Sequence, residues 1–175
     1  MLAYIGIGAA ILVVLLALMI ATRPDSFRVA RSIGISAAPD VPFGFVNDFH
    51  RWTEWSPFEN IDPNLKRTYA GSPAGEGARY AWQGNNKVGS GSMTITESIP
   101  AGRVVLDLFF EKPFKATNLT TFTFTPSPEG VTVEWAMSGK NTTMGKAMSL
   151  AMNMDSYLGK TFDEGLAKLK RVSEA

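Results

Sequence analysis

The chain has 175 residues, no cysteine and a single histidine, with 17 basic against 16 acidic side chains. That is room for one domain of ordinary size and little else, and it excludes a disulfide framework, a thiol nucleophile and the usual two- or three-histidine metal centre. A net charge of +1 supplies no broad field for gripping a phosphate backbone, so no nucleic-acid partner is expected.

The apolar residues are unevenly spread. Residues 1–22 carry no charged side chain, and Leu2 to Ala21 is almost wholly Leu, Ile, Val, Ala and Met. As a helix this run would extend ~30 Å, about the hydrocarbon thickness of a bilayer. It lacks the basic start of a signal peptide, and Met19 stands where a cleavage site wants a small residue. The reading is therefore a transmembrane anchor over 1–22 and a second domain over 23–175; a cleaved signal and a buried core helix are the rivals. Arg23, Arg28 and Arg31 follow the apolar run and none precedes it. The positive-inside rule then gives a single-pass membrane protein with its C-terminal domain in the cytoplasm.

Past the leader, Ser26 to Ser36 sets Phe27, Val29, Arg31, Ile33 and Ile35 against small and polar residues, the period of a half-buried strand. Pro39 and Asp40 suit a helix start, and Phe43, Val46, Phe49 and His50 fall at helical spacing. From Leu65 to Lys140 short alternating runs are punctuated by Gly, Pro and Asn, the pattern of an antiparallel meander. Its strands are predicted at 65–70, 78–83, 88–98, 103–111, 116–125 and 131–139. A long amphipathic helix is predicted over about 143–172, with Met144, Met148 and Met152 stepping by four along one face. The fold class is α+β: a curved antiparallel sheet must cover its apolar face, and only the C-terminal helix is long enough to do so.

Three stretches carry a resemblance closer than layout: Phe27-Arg28-Val29-Ala30-Arg31-Ser32, the block from Asp48 to Phe58, and Tyr80-Ala81-Trp82-Gln83-Gly84-Asn85. They look like the SRPBCC superfamily of START-like, helix-grip proteins, in its polyketide cyclase/dehydrase branch, whose bacterial members often carry one N-terminal membrane helix. Gly165 to Lys170 also resembles that branch's helix ending. The resemblance covers about 26–172 and is specific for the fold but weak for any reaction. It implies an antiparallel sheet wrapped on the long C-terminal helix, preceded here by the transmembrane helix, with a hydrophobic ligand held between sheet and helix.

The residues suit such a cavity. Tyr80 and Trp82 share one strand face, as do Leu108 and Phe110, Phe122 and Phe124, and Trp135 and Met137; Met93 joins them from the neighbouring strand. Aromatic rings offer large apolar area with few rotors, and methionine adapts to its guest, so Met148 and Met152 complete the candidate ligand set. Ordinary core packing would use the same residue types.

Chemistry is harder to find. His50 has the right intrinsic pKa for a proton shuttle, but it sits in a polar block with Asp48, Arg51 and Glu54 that reads as a solvated helix end. Glu97, Asp107 and Glu134 fall on strand faces opposite the apolar series. No catalytic residue, metal site or cofactor motif emerges. Trp52 and Trp55 read as anchors of short helices rather than as a membrane-interface belt. Three readings follow: a membrane-anchored protein binding a hydrophobic small molecule or lipid, a cyclase or dehydrase, and a membrane-tethered interaction module without a reaction.

Overall fold

The computed structural model describes residues 2–141, 145–146 and 154–175, with the side chains near the N-terminus described only in part. Leu2–Ala21 is helical, α1. The span expected there is not found: among the described residues no helix is long and apolar enough to cross a membrane. The transmembrane helix, the membrane contact through residues 1–22 and the cytoplasmic placement that rests on them are corrected accordingly.

The sheet is as the alternation predicts. Seven strands, β1 (Ser26–Ile35), β2 (Lys66–Gly71), β3 (Ala78–Gln83), β4 (Ser90–Ile99), β5 (Arg103–Lys112), β6 (Ala116–Ser127) and β7 (Gly130–Lys140), form one antiparallel sheet in the order β1-β7-β6-β5-β4-β3-β2. Between Ile95 and Glu97 the register with β5 slips by one residue. Such a bulge bends the strand and adds twist, which helps turn a flat ladder into a concave one. The β6–β7 turn depends on Gly130, whose φ of +136° keeps its backbone against Ile35 and Ala37 where a Cβ has no room.

Between β1 and β2 lie α2 (Asp40–Asn47), a 3₁₀ turn (Phe49–Arg51) and the single-turn helix α3 (Trp52–Trp55). The indole N–H groups of Trp52 and Trp55 donate to the carbonyls of Val46 and Phe45 at 2.9 and 3.1 Å, satisfying acceptors that the end of α2 leaves unpaired. Both indoles are buried, in keeping with their reading as helix anchors.

The C-terminal helix α4 (Met154–Ser173) packs over β1 and against α2 and α3. Its apolar face buries Phe162, Leu166 and Leu169 completely or nearly so. Polar clamps fix its angle on β1: Arg31 reaches Asp155 at 3.1 Å and Asp163 at 3.5 Å, Lys170 donates to the Gly34 carbonyl at 2.7 Å, and Glu174 accepts the Ser36 N–H at 2.6 Å. Of the predicted methionine row, Met144, Met148 and Met152 lie outside the described residues. On the outer face Glu134 pairs with Arg28 and Glu97 with Arg103, as their strand positions require.

Candidate ligand-binding face

Strand parity puts eight of the predicted ligand residues on the concave face. Tyr80, Met93, Phe122, Phe124, Trp135 and Met137 are buried there, while Trp82 and Phe110 are half-buried. Met148 and Met152 fall outside the described residues.

Burial along this face is graded. At the end covered by α2, Ile95, Val104 and Val131 have no exposed surface, and Phe124 meets Phe43 edge-on at 5.6 Å. In the middle the Trp135 ring lies between Phe122, at 5.0 Å and 29°, and Phe162, at 4.2 Å and 10°, with Trp55 edge-on at 5.6 Å. This box is core. At the opposite end, which holds the start of β1 and the ends of β3 and β5, Phe27, Trp82 and Phe110 are only half-buried. There Trp82 meets Phe110 edge-on at 5.8 Å and covers Gly91, where an added Cβ would stand 2.6 Å from the indole. The ion pair of Asp155 on α4 with Arg31 sits midway along β1.

Two buried polar atoms mark the boundary between the packed and open halves. Thr120 Oγ1 and Trp135 Nε1 are shielded from solvent and have no hydrogen-bond partner among the described residues. Ser56 Oγ, next to Trp55, is in the same condition. An unpaired buried donor or acceptor costs about 1–3 kcal/mol, so native structures seldom leave one without a guest or a water to meet it.

A network that no sequence pattern indicates sits beside this face. Glu59 is 5% exposed; its Oε1 accepts the Tyr80 hydroxyl at 2.7 Å and its Oε2 accepts Arg67 Nε at 2.6 Å. Burial, with the hydrogen bond to Glu59 second, raises the Tyr80 pKa far above the ordinary phenol value, so the phenol keeps its proton and stays a donor. The Glu59 bond likewise raises the Arg67 pKa. Nearby, Asp62 Oδ2 accepts the Asn85 N–H at 2.7 Å, tying the segment after α3 to the β3–β4 turn.

The acid–base candidates lie elsewhere. The His50 side chain is 56% exposed, bonded through Nδ1 to Asp48 at 2.9 Å, and stacked on Tyr69 at 4.1 Å. Asp48 and Glu54 are also partly exposed. His50 and Tyr69 border a surface depression of about 220 Å³. A larger open depression, about 880 Å³, touches Arg28, Asp107, Phe109, Leu119 and Lys140. Neither is lined by any predicted ligand residue. Among the described residues no group of acids and histidine is placed to hold a metal ion.

Known structures with this arrangement are similar in fold at low identity. Protein CV1439 from Chromobacterium violaceum is 16% identical with a TM-score of 0.59, covering 87% of this chain and 99% of its own. The Aha1 dimer from Colwellia psychrerythraea gives 15% and 0.60, over 85% and 96%. The di-domain ARO/CYC protein BexL, from the BE-7585A biosynthetic pathway, gives 15% and 0.65, covering 91% of this chain and about half (53%) of BexL. No protein of curated function matches the sequence. A family profile described as polyketide cyclase / dehydrase and lipid transport matches residues 26–174. The chain thus belongs to the polyketide cyclase/dehydrase and lipid transport family.

Proposed function

We propose that the domain binds a hydrophobic small molecule or lipid on the concave face, between the sheet and the C-terminal helix, without catalysing a reaction on it. The observation that carries this reading is the gradient of burial. Phe27, Trp82 and Phe110 point to the side where a core belongs, yet remain half-buried. Large rings left partly open on a concave face are the usual lining of an apolar pocket. In this reading Trp82 and Phe110 form the mouth, Met93 and Met137 the adaptable walls, and Tyr80, Phe122, Phe124 and Trp135 the packed floor. Family membership supports a bound ligand on this face, as do the ARO/CYC label of BexL and the dynemicin biosynthetic locus of the similar protein DynU16.

A cyclase or dehydrase would need an acid or base within hydrogen-bonding distance of the ligand. His50, Asp48 and Glu54 lie on the outer surface, and Glu59 is already engaged by Tyr80 and Arg67. Binding without reaction is the better account of these residues. The test is titration of the full chain with 2-ethylnaphthalene, followed by calorimetry. Saturable binding that Trp82→Ala weakens at least fivefold supports the proposal; absence of saturation at the probe's solubility limit overturns it.

A further inference from the structure

The concave face has more than apolar area to offer, because its two unpaired polar atoms stand where the half-buried mouth meets the packed floor. On β6 the inward residues run Asn118, Thr120, Phe122, Phe124, from the mouth to the closed end. Thr120 pairs with Met137 and Phe122 pairs with Trp135, so Thr120 and Trp135 are diagonal neighbours on adjacent strands. Diagonal side chains of this kind stand ~7–8 Å apart, within reach of one another's long or aromatic groups. Their polar atoms, Oγ1 and Nε1, nevertheless have no partner among the described residues, on side chains each belonging to a residue 2% exposed. Deeper in, the lining is wholly apolar: Phe122, Phe124, Val131 and Val133. A molecule entering past Trp82 and Phe110 would pass Asn118 and then meet the Thr120 hydroxyl and the Trp135 indole before the apolar floor.

We infer that the ligand of this face is an apolar molecule carrying a neutral carbonyl oxygen, which accepts hydrogen bonds from the Trp135 indole and the Thr120 hydroxyl. The inference rests on the binding reading above and narrows its ligand class. An indole N–H can only donate, so its partner must be an acceptor; a hydroxyl can donate to the same oxygen. Charge decides between a carbonyl and a carboxylate. Among the described residues, Arg31 is held by Asp155 and Asp163, Arg67 by Glu59 and Lys146 by Asp25. A carboxylate here would be buried and would have to take a cation from one of these partners, which costs far more than a neutral acceptor does.

The test compares 2-acetylnaphthalene, its near-isostere 2-ethylnaphthalene and 2-naphthoate by calorimetry on the full chain. One neutral hydrogen bond is worth about a three- to tenfold change in affinity. The ratio of ketone to hydrocarbon affinity is expected to fall by that factor in Thr120→Val and in Trp135→Phe, and to be retained in Thr120→Ser. An unchanged ratio in Thr120→Val, as a buried water in place of the ligand oxygen would give, overturns the carbonyl anchor while leaving hydrophobic binding intact. Binding of 2-naphthoate as tight as the ketone overturns the neutral class. Failure of wild type to bind either neutral naphthalene overturns the binding reading itself, and the anchor with it.

Discussion

Tyr80 donates its phenolic hydrogen to Glu59 Oε1 at 2.7 Å, across 21 residues of sequence and at a site hidden from solvent. Arg67 closes the other carboxylate oxygen at 2.6 Å, so the buried charge has both a counter-ion and a neutral donor. This is the condition under which a carboxylate can be kept in the interior.

Replacing Tyr80 by Phe leaves Oε1 without its donor and is expected to cost about 1–3 kcal/mol in chemical denaturation. The same pair sets an alkaline limit. Tyr80 has a folded pKa raised above the ordinary 10.0, so the stability it contributes is fully present below pH 10.0. It is lost as pH rises further, because the unfolded chain gives up the proton first. Melting temperature should fall above that pH, and less steeply in Tyr80→Phe. A remaining slope is expected from Tyr69, whose pKa burial also raises.

Two aromatic residues on the concave face should separate binding from stability. Phe124 is 3% exposed and locked edge-on to Phe43, so Phe124→Ala is expected to destabilise by about 3–5 kcal/mol. Trp82 is half-buried at the mouth; Trp82→Ala should cost less stability and more affinity for 2-ethylnaphthalene. Denaturation and titration of the two variants side by side give the comparison.

At Gly165 an added Cβ would stand 2.7 Å from Trp135 Cζ3 and 2.9 Å from Pro57 Cδ. Alanine ordinarily favours a helix over glycine by about 1 kcal/mol. Here the stacked ring cannot retreat, since Phe122 lies on its other face. Gly165→Ala is therefore expected to lower stability, by about 1–3 kcal/mol, in a thermal or urea melt.

The far end of α4 should be acid-sensitive. The Ser36 backbone N–H, with Lys170 second, holds Glu174 below the ordinary carboxyl value of 4.5. A depressed folded pKa gives stabilisation that is present above 4.5 and disappears as pH falls through the folded value. Hydrogen exchange at the Ser36 amide should accelerate, relative to its neighbours, below that pH, and Glu174→Gln should flatten the response.

The sheet was legible because one side of each strand is buried, which writes itself as alternation; β3 is found at Ala78–Gln83 as predicted. Boundaries shifted where backbone geometry outweighs pattern. β4 opens at Ser90 rather than at Val88 because Gly89, at φ +68°, turns the chain first. The helix read through His50 breaks after Asn47, because Asp48 is extended and its side chain accepts the His50 N–H, starting a new turn. The Glu59 network left no trace in spacing, since its partners are 8 and 21 residues away. Nor could periodicity say which inward-facing rings stay half-open. That depends on how the helix lies across the sheet, a packing in which Arg31 and Asp155 meet across 124 residues.

The pairing of β1 with β7 has a consequence for how the molecule is made. Val29 finds its partner at Met137, so the first strand has no strand neighbour until the long segment between them has been synthesised. A topology built on such distant pairings folds slowly, over about milliseconds to seconds, because loop closure must precede the contacts that reward it. Meanwhile the Phe27-to-Ile35 segment emerges with its ladder hydrogen bonds unmade, a template for pairing with other nascent chains. Yield in the cell should therefore respond to chaperone supply more than the finished fold's stability would suggest.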